Sequence, residues 1–244
     1  LMDIGTNGEI VLKTPQGIFS ASAAAGPAFE GYGLSSGMRA KEGALESVRI
    51  KGGHLQTRTI ANAPMIGICG SGYVDFLAEG ARAGWLSEHG RFTENAPVLV
   101  HETHGRCVVL GGDEKAPVVV SEADIANLLK AKSAIAATLL TLLDKATLSP
   151  SDLDSVFVAG GFGKHIDAEN AISCGLLPDV PVARIFYLGN ASLGGACAVA
   201  LDKAALPALE RDIATVQTIA VNLEPSFEDH FIDEMGLNKM GENQ

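Results

Sequence analysis

The residues with the clearest chemical potential stand at the start of the chain, in the segment Asp3–Gly8. Two short strands joined by a turn are predicted over residues 1–12, with Asp3 at the end of the first strand. Small residues such as Gly5 let backbone N–H groups approach phosphate oxygens, Thr6 can donate a hydrogen bond to one, and Asp3 can hold a hydrated Mg²⁺ or orient a water. Asn7-Gly8 indicates a type I′ hairpin turn. The alternative is a plain β-hairpin with a solvent-facing Asp3.

Two later apolar runs, each predicted to be a strand, end in glycine-containing loops. Residues 155–159 lead into Gly160-Gly161-Phe162-Gly163, and residues 185–188 lead into Gly189-Asn190. Strands that end in glycine let a flat ligand lie against bare backbone. A helix of small residues is predicted next. Its Gly194-Gly195 pair costs about 1 kcal/mol of helix stability per residue, which predicts a packing reason for the glycines.

The elements between these loops predict an α/β protein with a mixed sheet flanked by helices. Ser121 is expected to cap a long helix that continues to about Thr147, because apolar residues recur through it at i, i+3 and i+4 spacing. A strand–helix–strand order then implies a right-handed crossover. The hairpin with Asp3, the strand into Gly-Gly and the strand into Gly-Asn follow the order of elements in one lobe of the actin-like, ribonuclease H-like fold. The chain resembles that nucleotide-binding lobe in this respect.

Five stretches give a more specific resemblance. They are DIGTNGEIVL at 3–12, AGPAFEGYGLSSGMRA at 25–40, IGICGSGYVDF at 66–76, AGGFGKHI at 159–166 and GNASLGGA at 189–196. In this order they resemble the C-terminal part of the reductive activators of corrinoid-dependent proteins. Members of that family are ATP-dependent iron–sulfur proteins that reduce inactive Co(II) corrinoid to Co(I). The likeness extends to residues 227–235, so it covers nearly the whole chain.

The resemblance implies the residues of half an ATP site. Asp3, Gly5, Thr6, Asn7 and Gly8 match the second phosphate loop of the fold, and Asp3 would hold Mg²⁺ through a water and act as the catalytic carboxylate. The adenosine loop is matched by Gly160, Gly161, Phe162 and Gly163, with Gly189 and Asn190 beside it. The implied cofactors are therefore ATP and Mg²⁺.

The resemblance also implies a division of the chain. The core of the lobe is expected over about 1–30 and 121–235, with a smaller α+β layer inserted over about 31–120. The chain begins inside a predicted strand without a Met, which indicates a piece of a longer protein. The first lobe and a ferredoxin-like domain are expected upstream, and an iron–sulfur cluster is expected only there.

Composition and net charge limit the classes of partner that this chain is expected to bind. The chain has 244 residues, 47% of them hydrophobic, and a net charge of −11, so its surface repels nucleic acid and anionic membranes. No apolar stretch is expected to reach membrane-spanning length, and a cytoplasmic protein is predicted. The cysteines Cys69, Cys107, Cys174 and Cys197 form no C-x-x-C pair, which favours reduced thiols and predicts neither a cluster nor tightly held zinc in this chain. The implied partner is a corrinoid protein, and a homodimer is possible.

Two further stretches leave alternatives open. Glu30 is either a polar site residue or a charge on a helix surface, and the second is favoured. The strand–Gly/Ser–helix pattern at residues 65–83 indicates a phosphate cradle at a helix N-terminus or, less well because Ser71 stands where glycine is needed, a cysteine nucleophile elbow at Cys69. The favoured alternative is that Ser71 caps the helix.

The fold class does not decide the function. A corrinoid-reducing activator is favoured by the resemblance. A small-molecule kinase of the same fold is a second possibility, although it would need a substrate-binding first lobe. A third is a non-catalytic docking module that binds a corrinoid protein and no nucleotide.

Overall fold

The computed structural model describes residues 1–161 and 166–242, which contain twelve strands and six α-helices. The strands are β1 (Met2–Ile4), β2 (Gly8–Thr14), β3 (Gly17–Ala23), β4 (Ala44–Lys51), β5 (His54–Thr59), β6 (Gly67–Ile68), β7 (Leu99–His101), β8 (Gly105–Asp113), β9 (Ala116–Ser121), β10 (Val156–Ala159), β11 (Ile185–Gly189) and β12 (Val216–Thr218). The helices are α1 (Gly70–Arg82), α2 (Glu122–Ala146), α3 (Ala168–Ser173), α4 (Ala191–Leu201), α5 (Ala205–Ile213) and α6 (Ser226–Asp233).

A six-stranded mixed sheet in the order β11-β10-β1-β2-β3-β12 forms the centre of the fold. Strand β2 is antiparallel to both β1 and β3, whereas β1, β10 and β11 run parallel to one another. Because the carboxyl ends of parallel strands meet at one edge of a sheet, the loops after β1, β10 and β11 lie side by side. The topology thus gathers the three loops that the sequence marks as chemically important.

Helix α2 crosses one face of this sheet and matches its predicted limits. Ser121 and Asp124 form a capping box, in which the Asp124 N–H donates to the Ser121 hydroxyl over 3.1 Å and the Ser121 N–H donates to the Asp124 carboxylate over 2.9 Å. At the other end, Thr147 adopts the left-handed conformation with φ +56° and stops the helix. The periodic apolar residues of α2 are buried beneath the sheet, as predicted.

The length of α2 corrects one expectation. At 25 residues it is long and apolar enough to cross a membrane, so the prediction that no stretch reaches that length is wrong. However, 83% of its most apolar window is buried inside the fold, which is the environment of a core helix.

The chain between β3 and α2 forms two three-stranded sheets, in the orders β5-β4-β6 and β7-β8-β9, together with α1. Buried carboxylates of α1 bind this part to its neighbours. Asp75 accepts a hydrogen bond from the Val48 N–H of β4 over 3.0 Å and another from the Asn170 amide of α3 over 2.7 Å. Glu79 accepts from the Ile50 N–H over 2.9 Å. These contacts tie α1 to β4 and to α3.

Two local predictions are wrong. Neither Asn7 nor Gly8 has a positive φ, so the β1–β2 connection is a bend over residues 5–7 and not a type I′ turn. Gly8 already belongs to β2 and faces α2, because a Cβ on it would lie 3.2 Å from Cγ1 of Ile135. No described atom lies within 4 Å of a Cβ placed on Gly194 or Gly195, so the close packing predicted for α4 is not found among the described residues.

A buried ion pair fastens the C-terminal segment to α2. The Lys132 ammonium lies 3.6 Å from the Glu234 carboxylate, and both side chains are only 1% exposed. Lys132 also donates to the Gly236 carbonyl over 2.8 Å, and Glu234 accepts from the Gly241 N–H over 2.7 Å. Burial lowers the pKa of Lys132 and raises the pKa of Glu234, and the opposite charge of each partner offsets part of that shift.

Removing both members of this pair should destabilise the fold by less than the sum of the two single removals. Lys132→Met or Glu234→Gln is expected to lower the free energy of unfolding by about 3–5 kcal/mol, because the other group stays buried without its partner. The double variant should lose clearly less than the sum of the two single losses, measured by urea unfolding. Asp179→Asn, which breaks the half-exposed pair with Lys239, is the control and should cost at most about 1 kcal/mol. Additive losses at positions 132 and 234 would contradict this prediction.

Candidate functional site

A cavity of about 540 Å³ lies at the carboxyl ends of β1 and β10. Five of the residues predicted from the sequence line it, namely Asp3, Gly5, Gly160, Gly161 and Asn190. Asp3 pairs with Ala159 in the parallel register of β1 and β10, and this places its side chain beside the first glycine of the following loop. The cavity therefore brings together residues that are up to 187 positions apart, from Asp3 to Asn190.

Gly160 brings the two strand ends into close contact. Its φ is +95°, and a Cβ at this position would lie 2.5 Å from the Ile4 carbonyl oxygen and 2.8 Å from the Asp3 carboxylate. Its N–H donates to the Gly189 carbonyl over 2.9 Å, and Gly189 also has a positive φ of +66°. Glycine is required here because a side chain would displace the end of β1 and the Asp3 carboxylate with it.

The other predicted residues are placed differently. Thr6 and Asn7 are exposed at the bend before β2, and Thr6 donates to the Glu30 carboxylate over 3.1 Å. Asn190 is the N-cap of α4, where its side-chain oxygen accepts from the Leu193 N–H over 2.8 Å, so its amide N–H groups remain for other partners. Gly8 is buried against α2. Roles in ligand binding for these residues stay predictions, and Phe162 and Gly163 lie outside the described residues.

Several lining residues come from the chain between β3 and α2. They include Glu30, Met38, Arg39, Ala40, Cys69, Gly70 and Ser71. Ser71 was expected to cap α1, but Cys69 occupies the N-cap position and the Ser71 hydroxyl donates to the Glu46 carbonyl over 2.9 Å. In the sequence, this wall of the cavity is indicated by a strand followed by glycines and the start of a helix at residues 67–72.

Glu30 corrects another expectation. It ends the short 3₁₀ turn Pro27–Glu30 and lines the cavity, whereas a solvated charge on a helix surface was favoured from the sequence. A Cβ on Gly5 would lie 3.8 Å from its Oε1 atom, so the carboxylate stands directly beside the Asp3–Gly8 segment. Sequence spacing could not find this contact, because it depends on how the chain returns after β3.

Comparison with known proteins identifies the family. Residues 1–244 match the family model described as the C-terminal domain of RACo, the ASKHA domain. The chain belongs to this family. A solved structure of a reductive activator for corrinoid, iron–sulfur protein superposes with a TM-score of 0.88 at 36% sequence identity, covering 96% of the chain. Together with the family match, this superposition confirms the predicted actin-like α/β fold.

Two curated relatives resemble this ASKHA domain over most of its length. The corrinoid activation enzyme RamQ of Eubacterium limosum is 31% identical over 258 residues, covering 100% of the chain and 43% of RamQ. The Co(II) methylated amine-specific corrinoid protein reductase of Methanosarcina barkeri is 30% identical over 226 residues, covering 84% of the chain and 39% of that reductase. The chain thus spans about two fifths of the length of these relatives.

In this ASKHA domain, one arginine forms ion pairs that join β4, α1 and the start of α3. Arg49 of β4 contacts Glu79 of α1 over 3.2 Å and Asp167, the N-cap of α3, over 2.7 Å. Burial alone would raise the pKa of Asp167, but the hydrogen bond and charge of Arg49 and the Asn170 N–H outweigh it and hold that pKa below its usual value. Arg49 therefore joins the chain between β3 and α2 to the start of α3.

The donor set of the cavity fits a nucleotide bound with a hydrated divalent cation. The bare backbone at Gly160 and Gly161 offers a cradle without side chains, and Asp3 and Glu30 supply the hard oxygen donors that Mg²⁺ prefers. No group of three or more His, Cys, Asp or Glu that could hold a metal occurs in residues 1–161 and 166–242. A cation at this site would therefore keep most of its waters, as Mg²⁺ does when phosphates bring it.

Gly160→Ala should show the strain at the centre of the site. We expect the free energy of unfolding to fall by at least about 2 kcal/mol, because an alanine at φ +95° is strained and its Cβ meets the Ile4 carbonyl. Gly161→Ala is the matched control, since no described atom lies within 4 Å of a Cβ there, and it should cost less than about 1 kcal/mol. Equal losses in urea unfolding for the two variants would contradict the assigned close contact.

Proposed function

We propose that this domain supplies half of the ATP site of a reductive activator of corrinoid proteins. The observation that carries the proposal is the convergence of Asp3, Gly160 and Asn190 on one cavity, in a domain whose relatives are named as corrinoid activators or reductases. In the full-length protein, ATP binding and hydrolysis would be coupled to the reduction of Co(II) corrinoid to Co(I).

Each part of the site has a role in this proposal. Asp3 orients the attacking water or a water of the Mg²⁺ shell, so that its negative charge is in place before the reaction. Gly5, Thr6, Asn7 and Gly8 form the phosphate loop. The adenosine lies along Gly160 and Gly161, with Gly189 and Asn190 beside them; Phe162 and Gly163, which belong to the same predicted loop, lie outside the described residues. Mg²⁺, when bound, neutralises phosphate charge during transfer.

The coupling is a shift between two arrangements of the protein. ATP can favour one arrangement only if it binds that arrangement more tightly than the other, and hydrolysis then releases it. We place the lobe core in residues 1–30 and 121–235, the inserted layer in 31–120, and the first lobe outside residues 1–244. The electron carrier, an iron–sulfur cluster by resemblance, belongs to that outside part.

The surface around α4 fits a role in contacts with other parts of the assembly. No residue of α4 is buried, and Leu193 and Leu201 are exposed although the helix is strongly apolar. On the neighbouring edge of the sheet, Phe157 and Phe186 stack at 5.4 Å and remain about half exposed. Exposed apolar area of this kind marks an interaction surface. The proposed partner is a corrinoid protein, in the cytoplasm, and a homodimer is compatible with the same surface.

The domain by itself should bind nucleotide weakly, because half of the site is proposed to lie on the other lobe. Calorimetric titration of residues 1–244 with Mg·ATP should give a dissociation constant no tighter than about the high micromolar range, and no appreciable hydrolysis. Tight binding by the isolated domain would overturn the one-lobe assignment. Absence of binding by the full-length protein would favour a docking module instead of an ATPase.

Asp3→Asn tests the proposed catalytic role in the full-length protein. The substitution keeps the size and hydrogen-bonding shape of the side chain but removes its charge. We expect nucleotide affinity to change little, while ATP hydrolysis and corrinoid reduction both fall by about 10²-fold or more.

Glu9→Gln is the matched control for this variant. Glu9 pairs with Asp3 across β1 and β2, yet it is exposed and does not line the cavity. It should leave turnover unchanged. A native melting temperature and unchanged turnover for Asp3→Asn would rule out a catalytic role for that carboxylate.

A further inference from the structure

We infer that Glu30 is a specificity-determining residue that makes the cavity select polyphosphate in complex with a divalent cation over free polyphosphate. This inference rests on the proposed nucleotide site and deepens it. Its basis is a second carboxylate in the cavity lining, which stands beside the Asp3–Gly8 segment and accepts a hydrogen bond from the Thr6 hydroxyl, the group predicted to donate to phosphate.

Packing fixes the backbone of the turn that carries Glu30. The 3₁₀ turn that carries it buries Ala28 and Phe29, and Gly31 closes the turn with φ +86° and an N–H that donates to the Ala28 carbonyl over 2.9 Å. A Cβ on Gly31 would collide with the Met38 backbone N, so the turn is packed directly against the chain that leads to Arg39. Backbone packing therefore fixes the turn, and the hydrogen bond from Thr6 orients the carboxylate at its end.

The hydrogen bond from Thr6 limits what this loop can offer to an anion. A threonine hydroxyl has one proton, and the Thr6 proton is donated to the Glu30 Oε2 atom over 3.1 Å. While that bond persists, Thr6 presents only oxygen lone pairs to a ligand. A phosphate oxygen at this position would then face lone pairs and a carboxylate, which repel it, whereas the hydrated shell of a divalent cation would donate hydrogen bonds to both.

The charges that line the cavity also favour a cation-bound polyphosphate over a free one. Its described lining contains two carboxylates, Asp3 and Glu30, and one cation, Arg39. A free polyphosphate meets a net negative site, while a divalent cation bound to the phosphates neutralises part of the ligand charge and is attracted by both carboxylates. The glycine cradle at Gly160 supplies shape without charge, so discrimination between the two forms depends on these side chains.

The test compares the affinity of the full-length protein for ATP with excess Mg²⁺ and for ATP in EDTA, by calorimetry. The wild-type protein should bind Mg·ATP more tightly. Glu30→Gln keeps an acceptor for the Thr6 hydroxyl but removes the charge, and it should lower the Mg·ATP to ATP affinity ratio by at least about tenfold, mainly through tighter binding of free ATP. Glu30→Asp, which keeps the charge, should retain most of the wild-type ratio.

Two further variants complete the design. Arg39→Met makes the cavity more negative and should raise the affinity ratio; because Arg39 is exposed, this variant tests the inference even if Glu30→Gln fails to fold. Glu9→Gln removes an exposed charge outside the cavity and should leave the ratio at the wild-type value.

The outcomes separate the two proposals. A wild-type protein that binds ATP but whose ratio is unaffected by folded Glu30→Gln, or by Arg39→Met, overturns the role of Glu30 and leaves the nucleotide site standing. A wild-type protein that binds ATP in neither condition overturns the nucleotide site itself. A ratio that falls for Glu30→Gln and rises for Arg39→Met supports selection by the cavity charges.

Discussion

The arrangement of the site depends on one close contact, between the backbone of Gly160 and the end of β1. A parallel pairing of β1 and β10 sets Asp3 level with Ala159, and the glycine that follows turns with a positive φ directly against the Ile4 carbonyl and the Asp3 carboxylate. Any side chain would push these apart. The position of the Asp3 carboxylate, the opening of the cavity and the hydrogen bond to Gly189 all follow from this contact.

Polar side chains of the chain between β3 and α2 connect the elements around the cavity. Asp75 and Glu79 of α1 satisfy backbone N–H groups of β4, and Arg49 of β4 binds the N-cap of α3. Because a buried carboxylate without partners is costly, these bonds keep α1 packed on β4, and the Arg49–Asp167 pair joins β4 to the start of α3.

The described surface is uneven in a way that fits a part of a larger assembly. One face of the central sheet is covered by α2, whereas α4 and the Phe157–Phe186 stack leave apolar area exposed. The same helix carries Asn190 at its N-cap and Ser192 in the cavity lining. Anything that covers α4 therefore lies close to the cavity, because the first turn of the helix belongs to both.

The sequence by itself determined the local features: the strands that end in glycine, the α2 helix between Ser121 and Thr147, and the candidate residues Asp3, Gly160 and Asn190. Short-range periodicity, capping and turn chemistry carry that information. Tertiary structure decided the turn at Asn7-Gly8, where Gly8 packs against α2. It also decided the surroundings of Gly194-Gly195, which are open in the part of the chain that the structure describes. It also decided that Glu30, Arg39 and Ser71 line the cavity. Their positions depend on contacts between segments far apart in the chain, which no local pattern encodes.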